Sequence, residues 1–219
     1  MAVSFRTVIE PGNSEISEKK SRFLGLAVHC ATAEEAEKVL EAVRKQHYEA
    51  RHHCWARILR SAAVPEGVQD MRTSDDGEPQ GTAGRPILEV MKGFGVTDTL
   101  VVVTRYFGGT LLGTGGLARA YTEAARTALT AAVTEVMQRC DVLELCVPYP
   151  QAERVQKLLR ERGIADARAV YTENVTITVH VPEEQTEALC REMTDLTAGT
   201  AGIKKAGNGY FPALKVQTL

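Results

Sequence analysis

Apolar and polar positions alternate or recur along most of the chain, and the period changes segment by segment. Val3 to Glu10 and Ser21 to Cys30 mix β-branched and aromatic residues on either side of Pro11-Gly12-Asn13, which predicts a hairpin. Thr32 precedes Glu35 at capping-box spacing, and Ala36, Val39, Leu40 and Val43 then recur at helical spacing. Cys54, Ala56 and Ile58 alternate with Trp55, Arg57 and Leu59 as in a strand, and the polar stretch Ser61 to Met71 reads as a connection. A helix is expected from Arg85 or Pro86 to Gly93 and Gly95, where proline suits the first turn and glycine the end. Thr99 to Thr104 is a short, continuous apolar run, the pattern of a strand buried on both faces in mid-sheet. A glycine-rich turn leads from it into a helix from about Gly116 to Ala132, whose alanines permit close packing.

After Val136 the pattern resets. It reads as strand (Cys140 to Val147), helix (Gln151 to Arg162), two strands meeting near Glu173-Asn174, helix (Glu183 to Met193) and strand (Tyr210 to Val216). That β-α-β-β-α-β order is the ferredoxin-like split βαβ unit. The expectation is an α+β protein of two domains, 1–136 and 137–219.

Composition narrows the function classes. Hydrophobic residues make up 44% and charged residues 25%, as in ordinary globular proteins. No apolar run approaches the roughly 18 residues of a membrane span, and the start of the sequence has no basic stretch leading into an apolar one. The cytoplasm and no membrane partner are expected. Five scattered cysteines without a C-x-x-C pair argue for thiols over disulfides or a zinc ribbon. Formal net charge is −2, and the parts before and after Met137 are each slightly negative, so binding to nucleic acid requires a local cationic cleft. Nothing points to DNA sequence specificity.

The chemistry concentrates between Thr73 and Gly116. Tyr106, Phe107, Gly108, Gly109, Gly113, Gly115 and Gly116 form a glycine-rich passage from a buried strand to a helix amino terminus. Backbone N–H groups can converge there on an anion, with phosphate the natural guest; a tight turn allowing close helix packing is the competing reading. Neither the Walker nor the Rossmann glycine pattern is present. Arg105 ends the buried strand beside this passage and Arg119 lies three residues into the helix after it; both have the planar fork suited to phosphate, or else pair with Asp75, Asp76 or Glu78, the favoured reading for Arg119. Those three carboxylates lie within four positions, between Ser74 and Thr82. Such crowding calls for a cation, arginines or N–H groups, so magnesium is one reading and a solvated turn capping the next helix through Thr82 is the simpler one. His52 and Cys54 share a strand face, but parallel side chains two residues apart are poorly placed for proton transfer, and packing is the favoured role. No residue is assigned as catalytic.

Several of these residues stand in familiar strings: Ala50-x-His52-x-Cys54-Trp55-Ala56, Ser74-Asp75-Asp76-Gly77-Glu78-Pro79-x-Gly81-Thr82-Ala83-Gly84-x-Pro86, and Val102-Val103-Thr104-Arg105-Tyr106-Phe107-Gly108-Gly109-x-x-Leu112-Gly113-x-Gly115-Gly116-Leu117, with Lys20-Ser21-Arg22-Phe23 upstream. The chain resembles the IMPACT family in its bacterial, YigZ-type branch, over nearly its whole length. The resemblance implies a first domain similar to domain IV of elongation factor G, of the ribosomal S5 domain 2-like kind, and a second similar to that factor's ferredoxin-like domain V. It implies RNA or the ribosome as partner and a part in regulating translation. Eukaryotic members are implicated in translational initiation but use a partner-binding domain that this sequence lacks. The core fold is also similar to that of GHMP-type small-molecule kinases, although the expected serine pair of their glycine-rich turn is absent. Two functions follow. The first is a non-catalytic translation-associated regulator without a cofactor, with Arg85, Arg105 and the glycine passage on phosphate and Asp75, Asp76 and Glu78 ordering the cleft. The alternative is a magnesium-dependent enzyme acting on a nucleotide or phosphorylated small molecule.

Overall fold

The computed structural model describes residues 4–60, 69–164 and 167–213, and the chain divides into two compact units, one of Phe5–Glu135 and one that takes Ser4 together with the chain from Val136 onward. The first unit contains β1 (Ser4–Glu10), β2 (Gly12–Glu18), β3 (Ser21–His29), α1 (Ala33–Gln46), β4 (His52–Arg60), β5 (Gln69–Ser74), α2 (Gly84–Phe94), β6 (Thr99–Tyr106) and α3 (Gly113–Ala131). Its sheet runs in the order β2-β3-β6-β4-β5, antiparallel at every step. β6 takes the central position and is buried almost to its end, as a continuous apolar run requires.

The opening hairpin differs from expectation. β3 pairs with β2, not β1, and the chain reverses at Lys19 and Lys20, with φ of 46° and 69°. Ile16 is the single large apolar side chain of β2, so this strand carries too little hydrophobic signal to be seen in the sequence. Of the polar stretch Ser61 to Met71, residues 61–68 lie outside the described residues, and Gln69–Met71 belong to β5.

α1 starts as its sequence demands. The Thr32 hydroxyl accepts from the Glu35 N–H at 3.2 Å, while the Glu35 carboxylate accepts from the Ala31 N–H at 2.7 Å. α2 ends at Gly95, whose φ of 66° is the left-handed cap that glycine adopts without strain. α3 begins at Gly113, three residues ahead of its expected start, because a helix opening on three glycines has almost no propensity to reveal it.

Helices cover both faces of the sheet. α2 and α3 press Ile87, Met91, Leu117, Tyr121 and Leu129 onto Val8, Phe23, Cys54, Ile58, Val101 and Val103. On the opposite face α1 packs Leu40 and Val43 against Leu59, Leu100 and Val102, with Trp55 half-buried beside them. The α3 contact is close because it is made by Ala120, Ala124 and Ala128 over glycine: a Cβ on Gly12 would stand 2.1 Å from the Ala128 carbonyl oxygen.

The second unit is β7 (Val133–Val147), α4 (Tyr149–Glu161), β8 (Arg168–Tyr171), β9 (Val175–Pro182), α5 (Glu183–Leu196) and β10 (Gly202–Pro212), the β-α-β-β-α-β order read from the sequence. β7 pairs with β9 on one side and β10 on the other, β8 pairs with β9, and all steps are antiparallel. Leu143, Leu145, Val155, Leu159, Ile177, Val179, Leu189 and Met193 fill its core. β10 starts eight residues earlier than expected: Gly202 to Gly209 is rich in glycine and lysine and looks like a loop, but pairs with β7 across a bulge near Ala206.

Candidate functional site

The carboxylate loop after β5 is a scaffold built on Asp75. Its Oδ2 accepts from the Gly81 N–H at 2.8 Å, and its Oδ1 from the N–H groups of Ala83 and Gly84 at 3.0 and 2.9 Å. Ala83, the residue before α2, offers no side-chain cap, so Asp75 supplies one from eight residues upstream. Thr82, expected as the cap, instead donates to the Pro79 carbonyl at 2.6 Å. Burial pushes the Asp75 carboxyl up, but the three N–H groups together bring it below its ordinary value.

Asp76 and Glu78 take different partners. Asp76 sits at φ 41°; its Oδ2 accepts from the His53 N–H at 2.7 Å, and the Arg44 guanidinium lies 3.8 Å from Oδ1. The His52 Nδ1–H donates to the Asp76 carbonyl at 2.9 Å. The Asp76 N–H donates to Ser74 Oγ at 3.1 Å. Glu78 is buried, and its Oε1 accepts from Arg105 Nη1 at 2.7 Å and from the Tyr121 hydroxyl at 2.8 Å. The carboxylates therefore do not converge. No group of three or more His, Cys, Asp or Glu arranged to hold a metal occurs among the described residues, and these donor sets do not fit magnesium.

Cys54 lies in the same buried network, its Sγ 3.0 Å from the Asp75 carbonyl and 3.3 Å from the Tyr121 hydroxyl. Burial first, and the nearby carboxylates after it, push the thiol far above its ordinary value; burial does the same to Tyr121. A thiol held protonated and away from a base is a poor nucleophile. Burial above all pushes the His53 imidazole below its ordinary value, and the ring shares a 3.1 Å hydrogen bond with the Thr104 hydroxyl.

Arg105, expected on a phosphate, is 5% exposed. Besides Glu78 it reaches Ser21 Oγ at 3.4 Å, and its guanidinium stacks near the rings of Phe23 and Phe107, 5.5 and 5.4 Å away. Of the two readings of this arginine, the pair with a loop carboxylate is the one the geometry realises.

The glycines divide by cause. A Cβ on Gly108 would stand 2.0 Å from the Lys20 carbonyl carbon, so backbone meets backbone there, and the Gly108 N–H donates to Ser21 Oγ at 3.1 Å. Gly109 and Gly113 have φ of 81° and 73°. Gly115 and Gly116 lie inside the first turn of α3, which has no side-chain cap and no acidic residue. Around them Phe107 and Leu111 are open to solvent, the latter 82% exposed. Arg119 is exposed one turn further along α3. Arg85 is elsewhere: it sits in the first turn of α2 and shares a cleft with Arg126, about 15 Å along α3 from Gly116.

Strand register gathers a cationic end. Arg22 is paired with Tyr106 and His52 with Arg105, so the Lys19-Lys20 turn, the end of β6 and the start of α3 fall together. Arg22 stacks on the Tyr106 ring at 5.7 Å and pairs with Glu15 at 2.8 Å, while Lys19 and Lys20 are exposed in the turn, next to exposed Glu18 at the end of β2. These two lysines carry no site motif of their own in the sequence; their signal is a charged pair between two strands, legible once β2 is known to be one.

Comparison with known proteins adds a family. Residues 19–129 match the Impact N-terminal domain family, and residues 145–200 match a domain of unknown function, DUF1949. The chain is 37% identical over 211 residues to IMPACT family member YvyE of Bacillus subtilis, covering 96% of this chain and 95% of that protein. It is 36% identical over 185 residues to IMPACT family member YigZ of Escherichia coli, covering 83% and 88%. A crystal structure described as that of a hypothetical protein superposes with a TM-score of 0.61 at 33% identity, covering 93% of this chain and 97% of that one.

Proposed function

The chain belongs to the IMPACT family, and from that premise we propose that it is a non-catalytic, translation-associated regulator that contacts ribosomal RNA through the cationic end of its first unit. The observation that carries this reading is the convergence of the Lys19-Lys20 turn, the exposed run from Phe107 to Leu111 and the uncapped start of α3. Lysines and free N–H groups suit phosphate, while an exposed aromatic ring suits an unstacked base. Arg119 adds a charge one turn along the same helix. Arg105 acts from beneath, holding Glu78 and backing Phe107, so that the loop keeps its shape without touching the ligand. The protonated Cys54 and the separate partners of Asp75, Asp76 and Glu78 favour this role over the magnesium-dependent enzyme.

In this reading residues 1–136 form the domain similar to domain IV of elongation factor G, and residues 137–219 the ferredoxin-like one, consistent with the strand order β10-β7-β9-β8. The test is anisotropy of a labelled ribosomal RNA fragment with the full chain across a salt series, beside the double variant Lys19→Gln/Lys20→Gln. We expect affinity to fall as salt rises, and the variant to bind more weakly with a salt slope shallower by about one to two. Absence of binding, or a slope unchanged in the variant, would sink the proposal.

A further inference from the structure

α2 and α3 enclose an open cleft of about 500 Å³ on the first unit, within the range of small-molecule sites. Its apolar lining includes Val90 and the half-buried Phe94, and its polar lining includes Arg85 from one helix and Arg126 from the other. Arg85 makes no hydrogen bond or ion pair among the described residues, and Arg126 has only a 4.0 Å approach to exposed Glu123. The one acidic lining residue, Glu89, is held by Lys92 at 3.0 Å. Two arginines thus line the same cleft as apolar Val90 and Phe94.

Gly93 also lines this cleft, in the last turns of α2. Glycine is the poorest helix former after proline, yet Gly93 has no positive φ, and a Cβ built on it would meet nothing within 4 Å. Neither backbone conformation nor crowding accounts for it. A side chain at this position would extend into open space beside the cleft.

We propose that the α2–α3 cleft binds a small phosphate monoester with an apolar or aromatic body, about the size of a mononucleotide. Such a phosphate carries between one and two negative charges near neutrality, which two arginines match and a lone carboxylate would not. Val90 and Phe94 take the body of the ligand. The site shares no residue with the cationic end described above, so it stands or falls separately from RNA binding.

The experiment is an NMR titration of the full chain with adenosine 5′-monophosphate, with adenosine and inorganic phosphate as separate arms. Three variants run beside it: Arg85→Gln, Arg126→Gln and Gly93→Met. The methionine fills the cleft from a position where nothing is displaced and improves the helix, so its melting temperature should not fall. We expect the monophosphate to shift the amides of α2 and α3 around Gly93, each arginine variant to weaken binding about tenfold, Gly93→Met to abolish it, and each half-ligand to bind more weakly than the whole. Unmoved amides at millimolar ligand would overturn the proposal, as would binding indifferent to all three variants or adenosine binding as tightly as its monophosphate.

Discussion

Glu78 accepts from Arg105 and from Tyr121 at one oxygen in a region sealed from water, so losing any partner leaves the others buried and unmatched. Arg105→Ala should destabilise the first unit by about 3–5 kcal/mol, measured by urea unfolding, and any loss of RNA binding should follow the loss of fold. Asp75 offers a test by pH. Its folded carboxyl lies below its ordinary value, so its stabilisation is complete above that value and disappears as pH falls through the folded one. Asp75→Asn should therefore cost about 1–2 kcal/mol at neutral pH and flatten the acid limb of a stability–pH curve below about pH 4. The crowding of three carboxylates was legible as a need for a cation, arginines or N–H groups. Which carboxylate takes which was not, because it depends on backbone turned to positive φ at Asp76 and Gly77.

Among the elements, those with strong local signals were legible: α1 through its capping box, α2 through proline and glycine, β6 through its apolar run. β2, the start of α3 and most of β10 were not, since their residues have weak propensity and are held by pairing or packing with distant segments. The same distinction separates two glycines. Gly12→Ala should destabilise by about 1–3 kcal/mol in chemical unfolding, because the new Cβ strikes backbone atoms of Ala128 and Ala132 that cannot rotate away. Gly93→Ala should instead stabilise by up to about 1 kcal/mol, since the methyl group enters open space in a helix.

At the scale of the molecule, the two units own separate cores: no residue of the cluster around Leu145 and Ile177 belongs to the clusters of the first unit. A core of its own lets a domain fold as a unit. We expect scanning calorimetry to depart from a single two-state transition, with Leu145→Ala shifting one component and Ile58→Ala the other; one transition moved equally by both variants would contradict this. Among the described helices none is long and apolar enough to cross a membrane. The sole tryptophan, Trp55, lies on β4 against the α1 side of the first sheet, with the Arg57 guanidinium 5.7 Å from its ring. Intrinsic indole emission from this protein is therefore a local optical reporter: it follows the melting of one unit and is blind to the other, so a single fluorescence trace would leave the folding of the second unit undescribed.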